Sequence, residues 1–308
     1  MKQKRAAVPQ KLRGPSGFVA FYEAEWGARF AALREQLVSR PGSVQGRVIR
    51  ENRFAAESSR RSRFASLAPG PITGTREFSR DGGADSKDPA GLRLGYVMDP
   101  ASIEAARALP LEGAESVLDL CAAPGGKSLV LAEGLPPEAE LFLNDRSSDR
   151  LARLRQVIAD YVPTSVSARI RITGHDGRRV GLGKREAFDR ILLDAPCSSE
   201  GHVLADPQAL EQWSESRVER LAQDQYALVT SALDALRPGG YLLYSTCALT
   251  KRENDAVIQR IFERSGRPIS VAPLPESPLG RQTRYGRQIL PDEQGFGPIY
   301  YALLLKDS

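Results

Sequence analysis

The chain has 308 residues, of which 41% are hydrophobic and 26% charged, a balance that excludes a wholly disordered protein. No apolar run approaches the roughly 18 residues that a membrane-spanning helix needs, and the basic N-terminus lacks the apolar stretch of a secretory signal. The net charge of +5 is unevenly spread, since residues 1–95 hold 18 Lys and Arg against 9 Asp and Glu. A basic front suits contact with a polyanion, although a solubilising tail fits the charge equally well.

The cysteine and histidine contents bear on compartment and metal binding. Three cysteines, Cys121, Cys197 and Cys247, are too few and too scattered for a disulfide framework, which indicates a reducing compartment. Two histidines, His175 and His202, argue against a zinc site, and no metal is expected. We expect a cytoplasmic monomer, and an Arg-rich transit peptide is the alternative for the N-terminus.

The predicted elements change in character near residue 100. Apolar residues at helical spacing predict a helix over 16–38, ended by Pro41 and Gly42, and a Gly-, Pro- and Ser-rich loop follows over 66–95. Beyond it, helices are predicted at 101–109, 149–161, 207–236 and 251–264. One more helix is predicted to begin after a Gly-rich turn and to end at residue 134. Strands are predicted at 117–120, 140–144, 168–172, 190–194, 241–245 and 299–305. Apolar strands separated by helices predict a parallel sheet that is covered on both faces.

A Gly-rich turn follows the first strand of this sheet. The strand ends at Asp119, and the turn continues as Leu-Cys-Ala-Ala-Pro-Gly-Gly-Lys-Ser up to Ser128. In a doubly wound sheet such a turn lets a ligand approach the backbone closely, although Gly125 and Gly126 would also make an ordinary tight turn. The turn is neither G-x-G-x-x-G nor G-x-x-x-x-G-K, which disfavours a dinucleotide or a nucleoside triphosphate.

Acidic residues also follow the next two strands. Asp145 could accept hydrogen bonds from both hydroxyls of a ribose, although an acid at a helix N-terminus is an equal interpretation. Asp176 could accept a hydrogen bond from an adenine amino group, whereas His175 beside it is interpreted as structural. Acids at three strand ends and one Gly-rich turn favour a nucleoside cofactor without phosphates, which indicates S-adenosylmethionine.

Two cysteines follow the fourth and fifth strands of the predicted sheet. Cys197 lies in Asp194–Ser199 and Cys247 ends Tyr-Ser-Thr-Cys, so both thiols are expected at one edge, beside the cofactor. A lone buried cysteine is usually a small hydrophobic residue, which is the interpretation of Cys121. A redox pair is disfavoured because the C-x-x-C spacing is missing.

Cytosine chemistry gives a reason for thiols at this place. Carbon 5 of cytosine is too weak a nucleophile to attack a sulfonium methyl group, but a thiolate added at carbon 6 raises its electron density. Asp194 could hydrogen-bond the ring N3 or the amino group, and Lys127 could orient the base or Asp194. The second thiol could assist proton removal or product release. The target base must be unpaired or flipped into the pocket.

Together these motifs resemble the Sun-type (Nol/Nop/Sun) RNA cytosine-5 methyltransferases. The matching segments are 96–102, 118–128, 144–145 with Arg150, 175–177, 194–199, and 244–247 with Glu253 and Asn254. The resemblance covers roughly residues 94–306. It implies an α/β class I S-adenosylmethionine-dependent methyltransferase, with a Rossmann-like, mostly parallel seven-stranded sheet whose last strand is antiparallel.

The family resemblance also implies roles for single residues. Cys247 would be the nucleophile and Cys197 the cysteine that helps to release the product, with Asp194 and Lys127 as further catalytic residues. The cofactor would be held by the Gly-rich turn and by residues at the following strand ends, namely Cys121, Ala122, Ala123, Pro124, Gly125, Gly126, Lys127, Asp145, Arg150, Asp176, Gly177 and Asp194.

Other features bear on the substrate. Residues 198–202 read Ser-Ser-Glu-Gly-His, where the commoner bacterial members of the family have Ser/Thr-Gly-x-Gly. Together with segments 176–179 and 295–301, this departure resembles the organellar branch that modifies rRNA and tRNA. We expect rRNA ahead of tRNA. Because the chain ends at Ser308 without room for a C-terminal RNA-binding module, specificity is expected from the basic front, the core or a helper protein. We accordingly divide the chain into a basic, partly helical extension over 1–95 that contacts RNA, and a catalytic domain over 96–308.

Two other function classes compete with an RNA methyltransferase. The first is a non-catalytic ribosome-assembly factor that keeps the fold and binds RNA, which has no need of both thiols. The second is a small-molecule methyltransferase, which is disfavoured by the basic front and the two cysteines.

Overall fold

The computed structural model describes residues 11–39, 47–79 and 82–308. Its helices are α1 (Gly14–Trp26), α2 (Arg29–Val38), α3 (Glu57–Phe64), α4 (Pro100–Arg107), α5 (Gly126–Gly134), α6 (Ser148–Tyr161), α7 (Thr164–Ser167), α8 (Val180–Gly183), α9 (Glu200–Ala205), α10 (Pro207–Glu211), α11 (Glu215–Ala235), α12 (Asp255–Arg264) and α13 (Pro291–Gln294). Its strands are β1 (Val48–Glu51), β2 (Thr75–Glu77), β3 (Gly95–Met98), β4 (Ser116–Asp119), β5 (Glu140–Asn144), β6 (Ile170–Thr173), β7 (Phe188–Asp194), β8 (Leu236–Thr246), β9 (Ile269–Val271), β10 (Arg281–Gln282), β11 (Arg287–Ile289) and β12 (Ile299–Lys306).

The main sheet has the topology expected of the class I methyltransferase fold. Its strands β6, β5, β4, β7 and β8 lie side by side and are parallel. The last strand, β12, pairs with β8 in the antiparallel direction, and β9 and the hairpin β10–β11 extend the sheet beyond it. The predicted mostly parallel sheet with an antiparallel last strand is confirmed. The sheet holds nine strands in the described part of the chain and not the seven predicted, because the short strands β9, β10 and β11 extend it beyond β12.

Alternate residues of the central strands point into two separate hydrophobic cores. Val117 and Leu192 pack in one core with residues of α4, α5 and α6. Their chain neighbours Leu118 and Leu193 pack in the other core with residues of α11 and α12. Both faces of these strands are therefore buried, as the continuous apolar runs of the sequence predict.

The first 98 residues include a second, smaller sheet. Its three antiparallel strands are ordered β2-β1-β3, and the predicted boundary between residues 95 and 96 falls inside β3. Arg50 of β1 is 2% exposed and forms a 2.6 Å ion pair with Glu133 of α5. This sheet is thus joined to helix α5, which packs on the main sheet, by a buried charge pair.

Two helices occupy the place of the single helix predicted over 16–38. Gly27 separates α1 from α2 because its φ of +57° lies in the left-handed region that glycine tolerates. Aromatic residues of both helices pack around Trp213, Leu249 and Leu290 of the later chain. The predicted helix end at Pro41 and Gly42, and the basic residues 1–10, lie outside the described residues. Of the helices in the described ranges, none combines the length and the apolar character needed to span a membrane.

Candidate active site

The turn between β4 and α5 brings the chain backbone to the carboxyl edge of the sheet. Gly125 has φ +119°, and a Cβ atom there would lie 3.0 Å from Cγ1 of Val157. A Cβ atom on Gly126 would lie 3.0 Å from Cε1 of Tyr96. The two glycines therefore let the turn pass close to α6 and β3, where a Cβ atom would push against the side chains of Val157 and Tyr96.

The side chain of Asn144 ties the ends of three strands together. Its Nδ2 donates to the carbonyl oxygens of Leu120, at 3.1 Å, and His175, at 3.0 Å. Its Oδ1 accepts from the amide of His175 and from the hydroxyl of Thr173. The sequence interpretation noted Asn144 only as the neighbour of Asp145. Its position at a strand end, where carbonyl groups need partners, is the signal that could have identified this role.

A cavity of about 330 Å³ opens at these strand ends and is lined by Cys121, Asp145, Arg150, Asp176 and Gly177. Asp145 is 3% exposed, and its Oδ1 accepts a 2.9 Å hydrogen bond from the amide of Ser147. Its Oδ2 accepts no hydrogen bond from any described residue, although Nη1 of Arg150 lies 3.2 Å away. Arg150 also donates to the carbonyl oxygen of Ala123. The structure thus brings Asp145, the residue predicted to bind a ribose, together with Arg150 and the turn, which the family resemblance implies for the cofactor.

Asp176 is less available than Asp145. Arg178 binds its carboxylate with two nitrogens, Nε at 3.1 Å from Oδ1 and Nη2 at 2.8 Å from Oδ2. These hydrogen bonds lower the pKa of Asp176, so the group stays ionised at neutral pH. At Gly177 a Cβ atom would lie 2.9 Å from Cδ2 of Leu228, so a larger residue there would require the Leu228 side chain to move.

The cavity fits an adenosine group. Oδ2 of Asp145 is ion-paired with Arg150 but accepts no hydrogen bond from a described residue, so it offers a buried acceptor for a ribose hydroxyl. Leu120, Pro196 and Leu228 add apolar walls for a base. Groups of three or more His, Cys, Asp or Glu that could hold a metal ion are absent from the described ranges.

A second cavity, of about 430 Å³, lies on the other side of the turn. Cys121 lines both cavities, and the second one also includes Tyr96, Lys127, Asp194 and Arg47. Arg47 comes from the basic front of the chain, so this cavity is formed jointly by the front and by the core. Its position next to the first cavity leaves room for a second group beside one bound there.

An ion pair occupies the floor of the second cavity. Nζ of Lys127 donates to Oδ2 of Asp194 at 2.8 Å, and Oγ of Ser245 donates to Oδ1 at 2.8 Å. Burial opposes the charge of Lys127, but Asp194, with a smaller contribution from a Cys247 thiolate, raises its pKa. Lys127 therefore stays protonated. Ser245 was missed by the sequence interpretation, although a lone serine in the apolar strand β8 is a signal for such a contact.

The two cysteines predicted to act together are in contact. Sγ of Cys197 lies 2.8 Å from Sγ of Cys247, and both thiols are free. Oγ of Ser199 lies 3.2 Å from Sγ of Cys247 and 3.5 Å from Sγ of Cys197. The hydrogen bond with Cys247, together with burial, raises the pKa of Cys197 well above its ordinary value. Cys197 therefore keeps its proton at neutral pH.

Cys121 differs from the other two thiols in its surroundings. It packs at the edge of a hydrophobic core and lines the cofactor cavity. Burial, reinforced by nearby carboxylates, raises the pKa of its thiol far above the ordinary range. Such a thiol is a poor nucleophile, in agreement with its interpretation as a small hydrophobic residue.

Comparisons with known proteins agree on one family. A model of the family described as "16S rRNA methyltransferase RsmB/F" matches residues 106–305. The 5-cytosine rRNA methyltransferase NSUN4 of Xenopus laevis is 34% identical over 233 residues, 70% of this chain and 57% of that protein. The mitochondrial tRNA (cytosine(34)-C(5))-methyltransferase of Mus musculus is 35% identical over 229 residues, 70% of this chain and 64% of that protein. The chain thus spans less than two thirds of the length of these curated relatives.

A solved structure supports the fold independently. A methyltransferase homologue from Pyrococcus horikoshii superposes with a TM-score of 0.73 at 22% identity, over 94% of both chains. At that identity the similarity establishes the fold and leaves the substrate open.

Proposed function

The chain belongs to the 16S rRNA methyltransferase RsmB/F family, and from this premise we propose that it methylates carbon 5 of a cytosine in RNA with S-adenosylmethionine as methyl donor. The family agrees with the resemblance found in the motifs. The observation that carries the proposed mechanism is the contact between the sulfur atoms of Cys197 and Cys247, 2.8 Å apart. The names of the two curated relatives, both cytosine-5 methyltransferases, support the same reaction.

We assign the cofactor to the cavity beside Asp145. Asp145 would bind the ribose, and Asp176 and Gly177 would border the adenine. The backbone of Cys121–Lys127, with Arg150 and Asp194, would enclose the remainder. S-adenosylmethionine supplies an electrophilic methyl group on a sulfonium. The chain's own residues must then bind the base, make its carbon 5 nucleophilic and release the product.

Cys247 is proposed to start the reaction as a thiolate. Its sulfur adds to carbon 6 of the cytosine, which makes carbon 5 enamine-like and nucleophilic. Asp194 lines the second cavity, where its carboxylate can accept a hydrogen bond from the amino group of the base, or from the ring N3 when that nitrogen is protonated. Lys127 holds Asp194 through the 2.8 Å ion pair and places a positive charge near the thiolate.

Cys197 is proposed to act at the end of the reaction. After carbon 5 has been methylated, it loses its proton to solvent, and the electrons of that C–H bond re-form the ring double bond and expel Cys247 as a thiolate. Cys197 is protonated, because its pKa is raised by the hydrogen bond with Cys247 and by burial. It can therefore donate a hydrogen bond to the departing sulfur and favour release.

The RNA and the compartment are also part of the proposal. The family description and the Xenopus relative name rRNA, which we place first, and the mouse relative makes tRNA the second candidate. Arg47 of the basic front lines the substrate cavity, which supports RNA contact by residues 1–95. We propose a cytoplasmic location because the reaction needs free thiols, and the mitochondrial name of the mouse relative provides the alternative.

The proposal is tested by trapping the covalent intermediate. Tagged Cys197→Ala protein is expressed in its native host and purified under denaturing conditions, and any RNA that stays attached is sequenced. The Cys197→Ala/Cys247→Ala protein is the control. An adduct that is absent from the double variant supports both thiol roles, and the attached sequence identifies the RNA.

The opposite result has a clear meaning. If folded, cofactor-binding Cys197→Ala protein yields no adduct, the thiol assignments are wrong. An unchanged map of methylated cytosines in a Cys247→Ala strain would then favour the ribosome-assembly factor.

A further inference from the structure

Two glutamates lie fully buried behind the cysteine pair. Glu200 is the first residue of α9, and Glu253 lies shortly before α12, and each is 0% exposed. Glu200 follows Cys197 by three residues, and Glu253 follows Cys247 by six. Carboxylates are almost never fully buried unless specific partners compensate the loss of hydration. Their partners therefore indicate what these two residues do.

Each glutamate binds the loop that carries the other cysteine. Oε2 of Glu200 accepts a 3.1 Å hydrogen bond from the amide of Leu249, two residues after Cys247. Oε2 of Glu253 accepts a 3.0 Å hydrogen bond from the amide of Ser198, which directly follows Cys197. The hydroxyl of Ser198 also donates to Oε1 of Glu200 at 2.5 Å. Each glutamate side chain thus reaches from the segment that follows one cysteine to the segment that follows the other.

Helix α1 adds contacts to both loops. The hydroxyl of Tyr22 donates to Oε1 of Glu200 at 2.5 Å. The carboxylate of Glu25 accepts from the hydroxyl of Thr250 at 2.8 Å and from the amide of Lys251 at 2.5 Å. This helix belongs to the basic front, yet these side chains bind residues next to the cysteines. The front therefore contributes to the geometry of the reaction centre.

We propose that Glu200 and Glu253 form a reciprocal carboxylate brace, completed by Tyr22, that keeps the sulfur atoms of Cys197 and Cys247 in contact. The three residues are positioning residues, since they act through the loops. Backbone amides that donate to a carboxylate make strong, directional hydrogen bonds, so the brace fixes the loop backbones as well as the side chains. Its importance for catalysis rests on the proposed function, whereas the contact between the sulfurs does not.

The test measures the proximity of the sulfurs without any methyl transfer. In a Cys121→Ser background, diamide converts the Cys197 and Cys247 thiols into a disulfide and takes up the two electrons and two protons. Intact mass and loss of thiol labelling follow the rate. We expect Glu253→Ala to slow this oxidation by about tenfold or more, because the Ser198 amide loses a charged partner. Glu253→Gln keeps an acceptor at the same place and should retain the rate.

Two further variants separate positioning from general destabilisation. Tyr22→Phe removes one hydroxyl and should slow the oxidation while the fold is kept, so the test does not depend on the folding of Glu253→Ala. Glu133→Ala breaks the buried ion pair with Arg50, which costs stability away from the cysteines, and should oxidise at the unchanged rate. The melting temperature of each variant is measured, and the oxidation assay is run at a temperature where all variants are folded.

Either outcome is decisive for the brace. A slower oxidation in Glu253→Ala and Tyr22→Phe, together with an unchanged rate in Glu133→Ala, supports it. Unchanged rates in both brace variants, or an equal slowing in Glu133→Ala, would overturn it. If the brace variants slow the oxidation while the trapping experiment yields no RNA adduct, the brace stands and the proposed function fails.

Discussion

Asp194 and Ser245 lie opposite each other on the parallel strands β7 and β8, and the hydroxyl of Ser245 donates to the Asp194 carboxylate at 2.8 Å. Because these two residues are paired, the loops that follow β7 and β8 begin side by side at the same edge of the sheet. Cys197 follows Asp194 by three residues, and Cys247 follows Ser245 by two. Strand pairing therefore brings two thiols that are 50 residues apart in sequence to the same edge of the sheet, where they are in contact.

Replacement of the nucleophile should abolish the chemistry and spare the cofactor. We expect Cys247→Ser to lower the rate of methyl transfer by about a thousandfold or more, because a serine hydroxyl is a far weaker nucleophile than a thiolate. Single-turnover methylation of the RNA identified by trapping measures the rate. Calorimetric titration with S-adenosylmethionine should give an unchanged Kd, and substantial transfer by this variant would contradict the role of Cys247.

Removal of the charge on Asp194 should lower kcat. We expect Asp194→Asn to lower it by roughly a hundredfold or more, because the ion pair with Lys127 is lost and the base loses a charged hydrogen-bond partner. Asp189 offers a matched control on the same strand, since it pairs with Arg237 at the opposite end of β7. Asp189→Asn should change stability and leave kcat as it is. Equal effects of both changes on kcat would refute a special role for Asp194.

Loss of the Asp145 carboxylate should weaken cofactor binding. We expect Asp145→Ala to raise the Kd for S-adenosylmethionine by about tenfold to a hundredfold, because a buried acceptor for the ribose is removed. Asp149 lies exposed in the first turn of α6 and provides the comparison. Calorimetry on Asp149→Ala should give the wild-type Kd, and an unaffected Asp145→Ala protein would rule out the assigned ribose site.

The stability of the protein should depend on the protonation of Glu253. Burial, with the charge of Glu200, raises the pKa of Glu253 to about 7, above the value of about 4.3 in an unfolded chain. A raised carboxyl pKa contributes stability that is fully present below the unfolded pKa and is lost as the pH rises through the folded pKa. The melting temperature should therefore fall between about pH 4 and about pH 7.

Glu253→Gln should flatten this dependence. Part of the pH dependence of the melting temperature should remain, because burial also raises the pKa of Asp119 to about 7. Asp119→Asn should reduce that remaining part. Differential scanning calorimetry across the pH range, with Glu133→Gln as the control carboxylate, makes the comparison. Parallel pH profiles for the wild type and Glu253→Gln would show that Glu253 does not titrate in this way.

Local patterns predicted the elements around the cofactor well. The strand predicted at 140–144 is β5 as observed, and the helix predicted at 149–161 differs from α6 by one residue. The apolar residues of these segments are strongly periodic and clear turn residues flank them, so the local sequence determines where each element begins and ends. Because parallel strands end at one edge, the acids and cysteines that follow them were also found together.

Features that depend on distant partners could not be predicted. The strand β2 has three residues and pairs with β1, more than twenty residues earlier, inside a segment whose Gly and Pro content indicates a loop. The burial of Arg50 against Glu133 and of Glu200 against Tyr22 is likewise set by the tertiary structure. Charged residues are usually exposed to solvent, so the burial of these residues cannot be predicted until their partners are known.

The bond between Tyr22 and Glu200 spans 178 residues of chain, and this separation has a consequence in time. During synthesis at about 5 to 20 residues per second, the first helix waits roughly 10 to 35 seconds for the loop that it will hold. Until then the aromatic face of the first helix can pack only against Phe30 of α2, which follows it directly in the chain. The reaction centre is therefore completed late, after most of the domain has been synthesised.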